Sequence, residues 1–391
     1  MKRRILLFSI CFAVILAAAL SLGSRRSGYY RGVSAGGAEG WLGTWAKRVE
    51  VTIADTNIDA ELTDFPILLY LSSSSGTGTD DLTFIFDELT ADANRKKIAV
   101  TTSDGETEIY AEIERWDDAN EVAWIWTKVP TVSDSGATTL YFYYDSAKSA
   151  NTTYIGDPTD AVTHNVWNSK YDGVWHMGDD LGSTDLIDST ATGADGTALN
   201  MDGTNLVDGK IGKAESFDGT NEGTTHGDII DAASNTCFSA WVYTTDKTKS
   251  SQVIWIKKDA GPVTNYAFYL LNDDIRHRFY TGIWQTNDTG TSPIVSNATW
   301  YFVAIRFDSV TQNRIKIWVN ANEEYNQQQF NNLVTNDRNF RIGGDVDPAS
   351  FMEGRLDELR IGTTLRSEAE LKAEYYTGSD TTNDYGTEET L

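Results

Sequence analysis

Between Trp45 and Tyr144 the chain passes through seven short runs of β-branched and aromatic residues, with no helical period between them. They are VEVTI (49–53), FPILLYL (65–71), LTFIF (82–86), KIAVTT (97–102), TEIYAEIERW (107–116), EVAWIWTK (121–128) and TTLYFYY (138–144). Turn chemistry such as Ser103-Asp104-Gly105 and Ser133-Asp134-Ser135-Gly136 separates them. A chain written this way can bury its apolar side chains only as antiparallel sheets packed face to face, here a sandwich of ~100 residues.

A second β-rich region follows from residue 171, with runs such as CFSAWVYT (237–244), TWYFVAIRF (299–307), NRIKIWVN (313–320) and GRLDELRI (354–361). In NRIKIWVN, Ile315, Ile317 and Val319 share one face while Arg314, Lys316 and Trp318 share the other, the period of two of a strand. About 200 residues of this kind predict a larger sandwich or jelly roll. The fold class is therefore all-β, with two β-sandwiches in tandem. One helix is expected: Ser367 and Glu370 form a capping box before Leu371, Tyr375 and Tyr376. The domains predicted are 45–147, a linker at 148–170 that holds Pro158 and shows no alternation, and 171–378. A Gly- and Ser-rich flexible leader spans 24–44, and an acidic, mobile tail 379–391.

Lys2, Arg3 and Arg4 precede the uncharged run Ile5–Leu22, and Ser21-Leu22-Gly23 is a small-residue cleavage site, the layout of a signal peptide over 1–23. A run of this length can also just span a bilayer, so a signal anchor holding the protein to a membrane is the alternative. Either form predicts an extracellular or cell-surface location. Cleavage would take the net charge from −25 to −28. Such acidity excludes nucleic acid as a partner, because polyanion binding needs clustered Lys and Arg. The 12 Trp, 18 Tyr and 15 Phe exclude wholesale disorder. Of the 2 cysteines one lies in the signal, so Cys237 has no disulfide partner and reads as a buried small hydrophobe.

Two resemblances emerge from particular residues. Trp45-Ala-Lys47-Arg48, Leu62-Thr63-Asp64-Phe65-Pro66, Glu112-Ile113-Glu114, Val122-Ala-Trp124-Ile-Trp126-Thr-Lys128-Val129-Pro130 and Leu140-Tyr-Phe-Tyr-Tyr144 make 45–147 resemble the domain of unknown function 2341. Gly173-Val-Trp175-His176-Met, Ser216-Phe217-Asp218-Gly219, Phe238-Ser-Ala-Trp241-Val242 and Gly354-Arg-Leu-Asp357-Glu358-Leu-Arg-Ile361 make 171–378 similar to concanavalin A-like lectin/glucanase domains of the laminin-G-like type. The second resemblance implies carbohydrate or cell-surface recognition. It also implies Ca²⁺, held between the Asp188–Gly196 loop and Asp357, with Asp188, Asp195 and Asp357 as ligands. Ala191, Thr192 and Ala194 depart from the family's Gly- and Asn-rich loop. The alternative is that Asp188 and Asp195 make turns and Asp357 accepts loop amides.

For sugar binding, Trp284 is the candidate platform, with Tyr280 and Asn287 beside it, because polar residues of a long loop surround it. Glycoside hydrolysis needs two carboxylates flanking the bond. Glu106/Glu108 and Glu112/Glu114 have the i, i+2 spacing that shares a strand face, but they lie in the first region and read as a solvated face. The four His (His164, His176, His226, His277) have no metal-ligand spacing, and no catalytic residue is assigned. The expected function is a secreted or surface-anchored binding protein for glycans or cell-surface polymers. The alternatives are a structural subunit that self-associates through strand edges and a glycoside hydrolase.

Overall fold

The computed structural model describes residues 39–230, 235–258, 264–280, 284–329, 337–344 and 350–391. The signal segment 1–23 and residues 24–38 of the leader lie outside the described residues.

The first sandwich uses β1 (Lys47–Ile53), β2 (Leu62–Leu71), β3 (Ile98–Thr102), β4 (Glu108–Ile109), β5 (Ala111–Asp117), β6 (Val122–Val132), β7 (Thr138–Tyr144) and β8 (Ile155–Gly156). One sheet contains β1-β7-β3-β4 and the other runs β2-β6-β5-β8. Val49, Val51, Phe142 and Val100 from the first meet Ile67, Leu69, Ile113 and Ile125 from the second. LTFIF is not a strand. Phe84–Leu89 is a helix, α1, because Leu82, Ile85, Phe86 and Leu89 fall at i, i+3, i+4 and i+7 and all four are buried in this core.

The second sandwich uses β9 (Gly173–Trp175), β10 (Thr197–Leu199), β11 (Leu206–Asp208), β12 (Lys213–Asp218), β13 (Gly223–Thr225), β14 (Asn235–Thr244), β15 (Gln252–Lys258), β16 (Thr264–Leu271), β17 (Asp274–Tyr280), β18 (Trp284–Asp288), β19 (Trp300–Asp308), β20 (Arg314–Val319), β21 (Asn322–Gln328), β22 (Phe340–Ile342) and β23 (Glu353–Gly362). One sheet runs β11-β12-β23-β14-β19-β20-β21, with β9 also on β23. The other runs β10-β13-β22-β15-β16-β17-β18. Ile315, Ile317 and Val319 enter the core between them, as the alternation requires. Helix α2 (Glu368–Gly378) starts at the expected box: the Ser367 hydroxyl accepts from the Glu370 N–H and the Glu370 carboxylate from the Ser367 N–H.

The two sandwiches share a third apolar layer. Leu68 and Trp126, on the outer face of the β2-β6 sheet, pack with Trp241, Phe302, Ala304 and Trp318 on the outer face of the β14-β19-β20 sheet. Trp167 and Tyr171, expected beside or within a linker, fill the same layer. That segment also contributes β8, which runs parallel to β5. Helix α2 contributes Leu371 to this layer and Ala369 and Ala373 to the first core. The Thr377 hydroxyl accepts from the Leu68 N–H (2.9 Å) on the free edge of β2.

Both ends of the expected domain map need correction. Residues after 378 form β24 (Asn383–Tyr385) and β25 (Glu389–Thr390), both antiparallel to β1. Their acidity is used locally, since Arg48 pairs with Glu389 (2.7 Å) and Lys47 with Glu388 (3.3 Å). At the other end Trp41, within the expected leader, is only 8% exposed. Its ring meets Tyr143 edge-on and lies under the Arg48 guanidinium at 4.1 Å.

Candidate functional site

The layer between the sandwiches carries the densest group of buried ionisable side chains. Glu112 lies on β5 opposite Trp126, so its carboxylate points out of the first core toward the second sandwich. The register between β5 and β6 shifts between Ile113 and Arg115, and the bulge places Glu114 on the same side. From the other sandwich come His176, just after β9, and Glu358 and Arg360 on β23. All five are buried or nearly so.

Glu358 reaches this position through an unusual backbone. Its φ is +51° inside a strand, a left-handed conformation that costs a residue with a Cβ about 1 kcal/mol or more. The β14–β23 register slips at this point. Plain alternation would put one of Asp357 and Glu358 against Leu356 or Leu359. The bulge instead sends Leu356 and Leu359 into the sandwich core and leaves Asp357 opposite Trp241, on the side of the shared layer.

The contacts are specific. His176 Nδ1 lies 2.5 Å from Glu358 Oε1 and 3.7 Å from Glu114 Oε2, and its Nε2 lies 3.5 Å from Glu112 Oε1. Arg360 pairs with the second oxygen of Glu358 and lies over the rings of Trp126 (4.2 Å) and Trp167 (4.9 Å). Trp167 Nε1 and the Ser189 hydroxyl donate to Glu112 (2.5 and 2.6 Å), and Trp126 Nε1 donates to Glu114 (2.8 Å). Burial works against charge on His176, but Glu358 and Glu112 on its two sides outweigh it and hold its pKa well above the usual histidine range. Burial likewise pushes Glu358 up, yet His176 and Arg360 bring it down to about 2. Burial, reinforced by the neighbouring Glu358 charge, raises Glu114 and Asp357 well above ordinary carboxylates. The pattern is an imidazolium and a guanidinium gripping one carboxylate, with Glu114 and Asp357 beside it shifted toward their neutral forms.

Among the described residues Glu114, His176 and Glu358 form the one group of His, Cys, Asp and Glu ligand atoms within 4.8 Å of one another, the spacing that could hold a metal ion. The His176–Glu358 distance is that of a hydrogen bond. Two ligands each ~2.0–2.2 Å from a zinc-sized ion sit farther apart, so this pair would have to separate before an ion entered. Beside the group lies a cavity of about 70 Å³ bordered by Glu114, His176, Asp179 and Lys213. At ~10–15 Å³ of such space per water, that is room for a few waters. Glu112 and Glu114 therefore share a face as their spacing requires, but the face is buried, not solvated. Glu106 remains exposed, and Glu108 accepts from Asn151.

The expected Ca²⁺ ligands do not converge. Asp188 is buried, and its oxygens accept from the N–H groups of Val174, Thr190 and Ala194 and from the Thr190 hydroxyl. Asp195 is exposed and accepts from the Asp188 N–H (2.8 Å). Asp357 Oδ2 takes the N–H groups of Lys210 (2.6 Å) and Ile211 (2.9 Å). A Ca²⁺ needs six to eight oxygens, and among the described residues these three do not form a group of ligand atoms within 4.8 Å of one another. Asp188 and Asp357 accept loop amides, while Asp357 Oδ1 is buried without a hydrogen-bond partner.

Of the expected sugar platform, the side chains of Tyr280 and Trp284 lie outside the described residues. Its segment is a hairpin rather than a loop, with Tyr280 on β17 opposite Trp284 on β18. Asn287 lies opposite His277 and is buried, its side-chain oxygen accepting from the Tyr325 hydroxyl (3.1 Å). His226 is a core histidine bonded to the Ala194 carbonyl (2.9 Å) and the Thr224 hydroxyl (2.9 Å). Cys237 is free and buried.

Residues 217–372 match the concanavalin A-like lectin/glucanases superfamily. Residues 94–175 match the domain of unknown function 2341, a match that runs through the segment expected as a linker and ends at β9. The order of the two is the one the sequence motifs indicate. The curated proteins hold no match. Among solved structures, domain 4 of AbnA, a GH43 extracellular arabinanase from Geobacillus stearothermophilus in complex with arabinotriose, is 21% identical, with 53% of this chain and 98% of that chain covered and a TM-score of 0.42. The receptor binding domain of botulinum neurotoxin C/D mosaic serotype is 12% identical, covering 54% and 51%, at a TM-score of 0.41. The binding domain of Paraclostridial Mosquitocidal Protein 1 is 14% identical, covering 52% and 52%, at 0.41. The chain thus spans about half the length of these two toxin domains. The second sandwich has the concanavalin A-like fold.

Proposed function

We propose that the protein binds carbohydrate or another cell-surface polymer outside the cell, with the concanavalin A-like sandwich as the recognition module and the first sandwich fixed to it as a partner layer. The observation that carries this reading is the concanavalin A-like fold of the second sandwich together with the burial of Glu112, Glu114 and Glu358 in the layer between the sandwiches. Glu112 and Glu358 are 0% and 2% exposed and the Glu114 side chain 4%, so the closely spaced carboxylates of this layer offer almost no surface to a polysaccharide chain. That burial favours binding over hydrolysis at these acids. Export through residues 1–23 belongs to the same proposal and follows from their charge and hydropathy alone. The test is a glycan array probed with the full chain in Ca²⁺ and in chelator. Retention on a defined set of glycans is expected; no retention on any glycan or polysaccharide would refute the proposal.

A further inference from the structure

At the rim of the layer between the sandwiches is a cavity of about 190 Å³ lined by Leu68, Tyr70, Trp124, Lys210, Ile211 and Gly378–Asp380. We propose that this cavity is the sugar subsite, taking one neutral pyranose ring of a glycan against Trp124 and Tyr70. The proposal rests on the binding function above and gives it a location.

Its walls come from both sandwiches. Tyr70 and Trp124 are directly opposed across β2 and β6, one step along the strands from the Leu68–Trp126 pair that the second sandwich covers. Being farther out, both rings are only half-buried, with centroids 5.2 Å apart and planes 32° from each other. A pyranose presents a face of C–H groups that matches such a surface, and Trp and Tyr offer it at low entropic cost. The opposite wall is polar. Lys210 lies on the turn that Asp357 fixes through the Lys210 and Ile211 amides, and its ammonium is 5.1 Å from the Trp241 ring centre. Asp380 follows α2 with a left-handed φ of +56°. Its Oδ2 accepts from the Gly76 N–H (2.8 Å), while Oδ1 is buried and has no hydrogen-bond partner.

A buried carboxylate oxygen without a partner is costly, and a ligand hydroxyl is a donor that would satisfy it. The ammonium supplies the complementary donor. One donor and one acceptor beside an aromatic surface suit the vicinal hydroxyls of a sugar, and the Asp380 charge disfavours a uronate. The volume falls below the ~300–1,000 Å³ of pockets that enclose drug-sized ligands, which limits the occupant to a single ring.

The experiment uses the full chain on an array of immobilised neutral-hexose glycans, with methyl α-glucoside, methyl α-mannoside and methyl β-galactoside as soluble competitors. Wild type is compared with Trp124→Ala, Lys210→Met and Asp380→Asn. Asp380→Asn keeps an acceptor for Gly76, and Lys210→Met keeps the aliphatic stem over Trp241, so these two decide the matter where Trp124→Ala fails to fold. Retention by wild type, competed by a methyl hexoside and weakened roughly tenfold or more in the polar variants, is the expected result. Retention unchanged in both polar variants would overturn the subsite and leave the binding function standing. No retention by wild type on any glycan would overturn both.

Discussion

Glu215 gives the sharpest energetic test of the second sandwich. It lies on β12 between Leu206 of β11 and Leu356 of β23, fully buried, and neither carboxylate oxygen has a hydrogen-bond partner. Burial first, and then the nearby charges of Asp179, Asp180 and Glu222, push its pKa up to about 9. The folded chain therefore keeps a proton that the unfolded chain releases near pH 4.5. Because the native state binds more protons between those values, its stability falls as pH rises through that window. At about 1.4 kcal/mol per pH unit, the loss attributable to this group between pH 4.5 and 7 is ~3 kcal/mol. Glu215→Gln has nearly the same shape and no proton to lose. Urea unfolding of wild type and variant at pH 5, 6, 7 and 8 should show the variant gaining on wild type with each unit, by a total of ~3 kcal/mol or more. A difference between the two that stays flat with pH would refute the reasoning, because it would mean Glu215 ionises in the folded state without penalty.

Other perturbations have equally definite outcomes. Truncation after Thr382 removes β24 and β25, exposes the core around Tyr385 and breaks the Asn383 bond to the Leu68 carbonyl (2.6 Å). It should lower the thermal midpoint by an amount equivalent to about 3 kcal/mol, measured by calorimetry. His277 is buried against Phe279 and Phe307, and burial lowers its pKa to about 3. Its depressed folded pKa means that stability is lost as pH falls below ~6.5, so His277→Phe should flatten the acid limb of stability against pH. Arg366 and Glu374 are fully buried partners at 2.7 and 3.0 Å. Glu374→Ala should cost ~3–5 kcal/mol by urea unfolding, whereas Arg366→Met with Glu374→Leu should cost far less, because no charge is then left unpaired.

The sandwich cores were legible in the sequence because each strand buries alternate residues. Ile315, Ile317 and Val319 fell where the period of two put them. The helix at Phe84–Leu89 was misread because its residues are β-formers by type; the i, i+3, i+4, i+7 spacing from Leu82 was the signal to weigh. The shared layer also left a trace. In β6, Ala123 and Ile125 face the core while Trp124 and Trp126 face the other way, so both faces of the strand are apolar or aromatic, as expected when both are covered. That pattern implied burial for Glu112 and Glu114 as well, which share the outer face with Trp126. The bulge at Glu358 left no trace, because a left-handed residue is normally announced by Gly or Asn. Without it, alternation misplaces Asp357 and Glu358 relative to Leu356 and Leu359, and the His176 cluster cannot be assembled.

The buried charges and the rim cavity bear on one question, the role of the first sandwich. An apolar layer alone tolerates sliding, since its contacts are non-directional. Across the layer His176 lies 3.5 Å from Glu112 and 3.7 Å from Glu114, so a shift of either sheet would move the buried imidazolium away from the acids it faces. Trp167 and Ser189 fix Glu112 from the same direction. The rim cavity needs that registration, because Tyr70, Trp124 and the Gly76-bound Asp380 are fixed to the first sandwich while Lys210 belongs to the second. Moving one wall by an ångström would take its hydrogen-bonding groups out of range of a ring lying on the other. On this argument the first sandwich contributes half of a binding surface, and the buried cluster sets the spacing of the two halves. Removing His176 should therefore weaken binding at the rim even though its ring does not line that cavity.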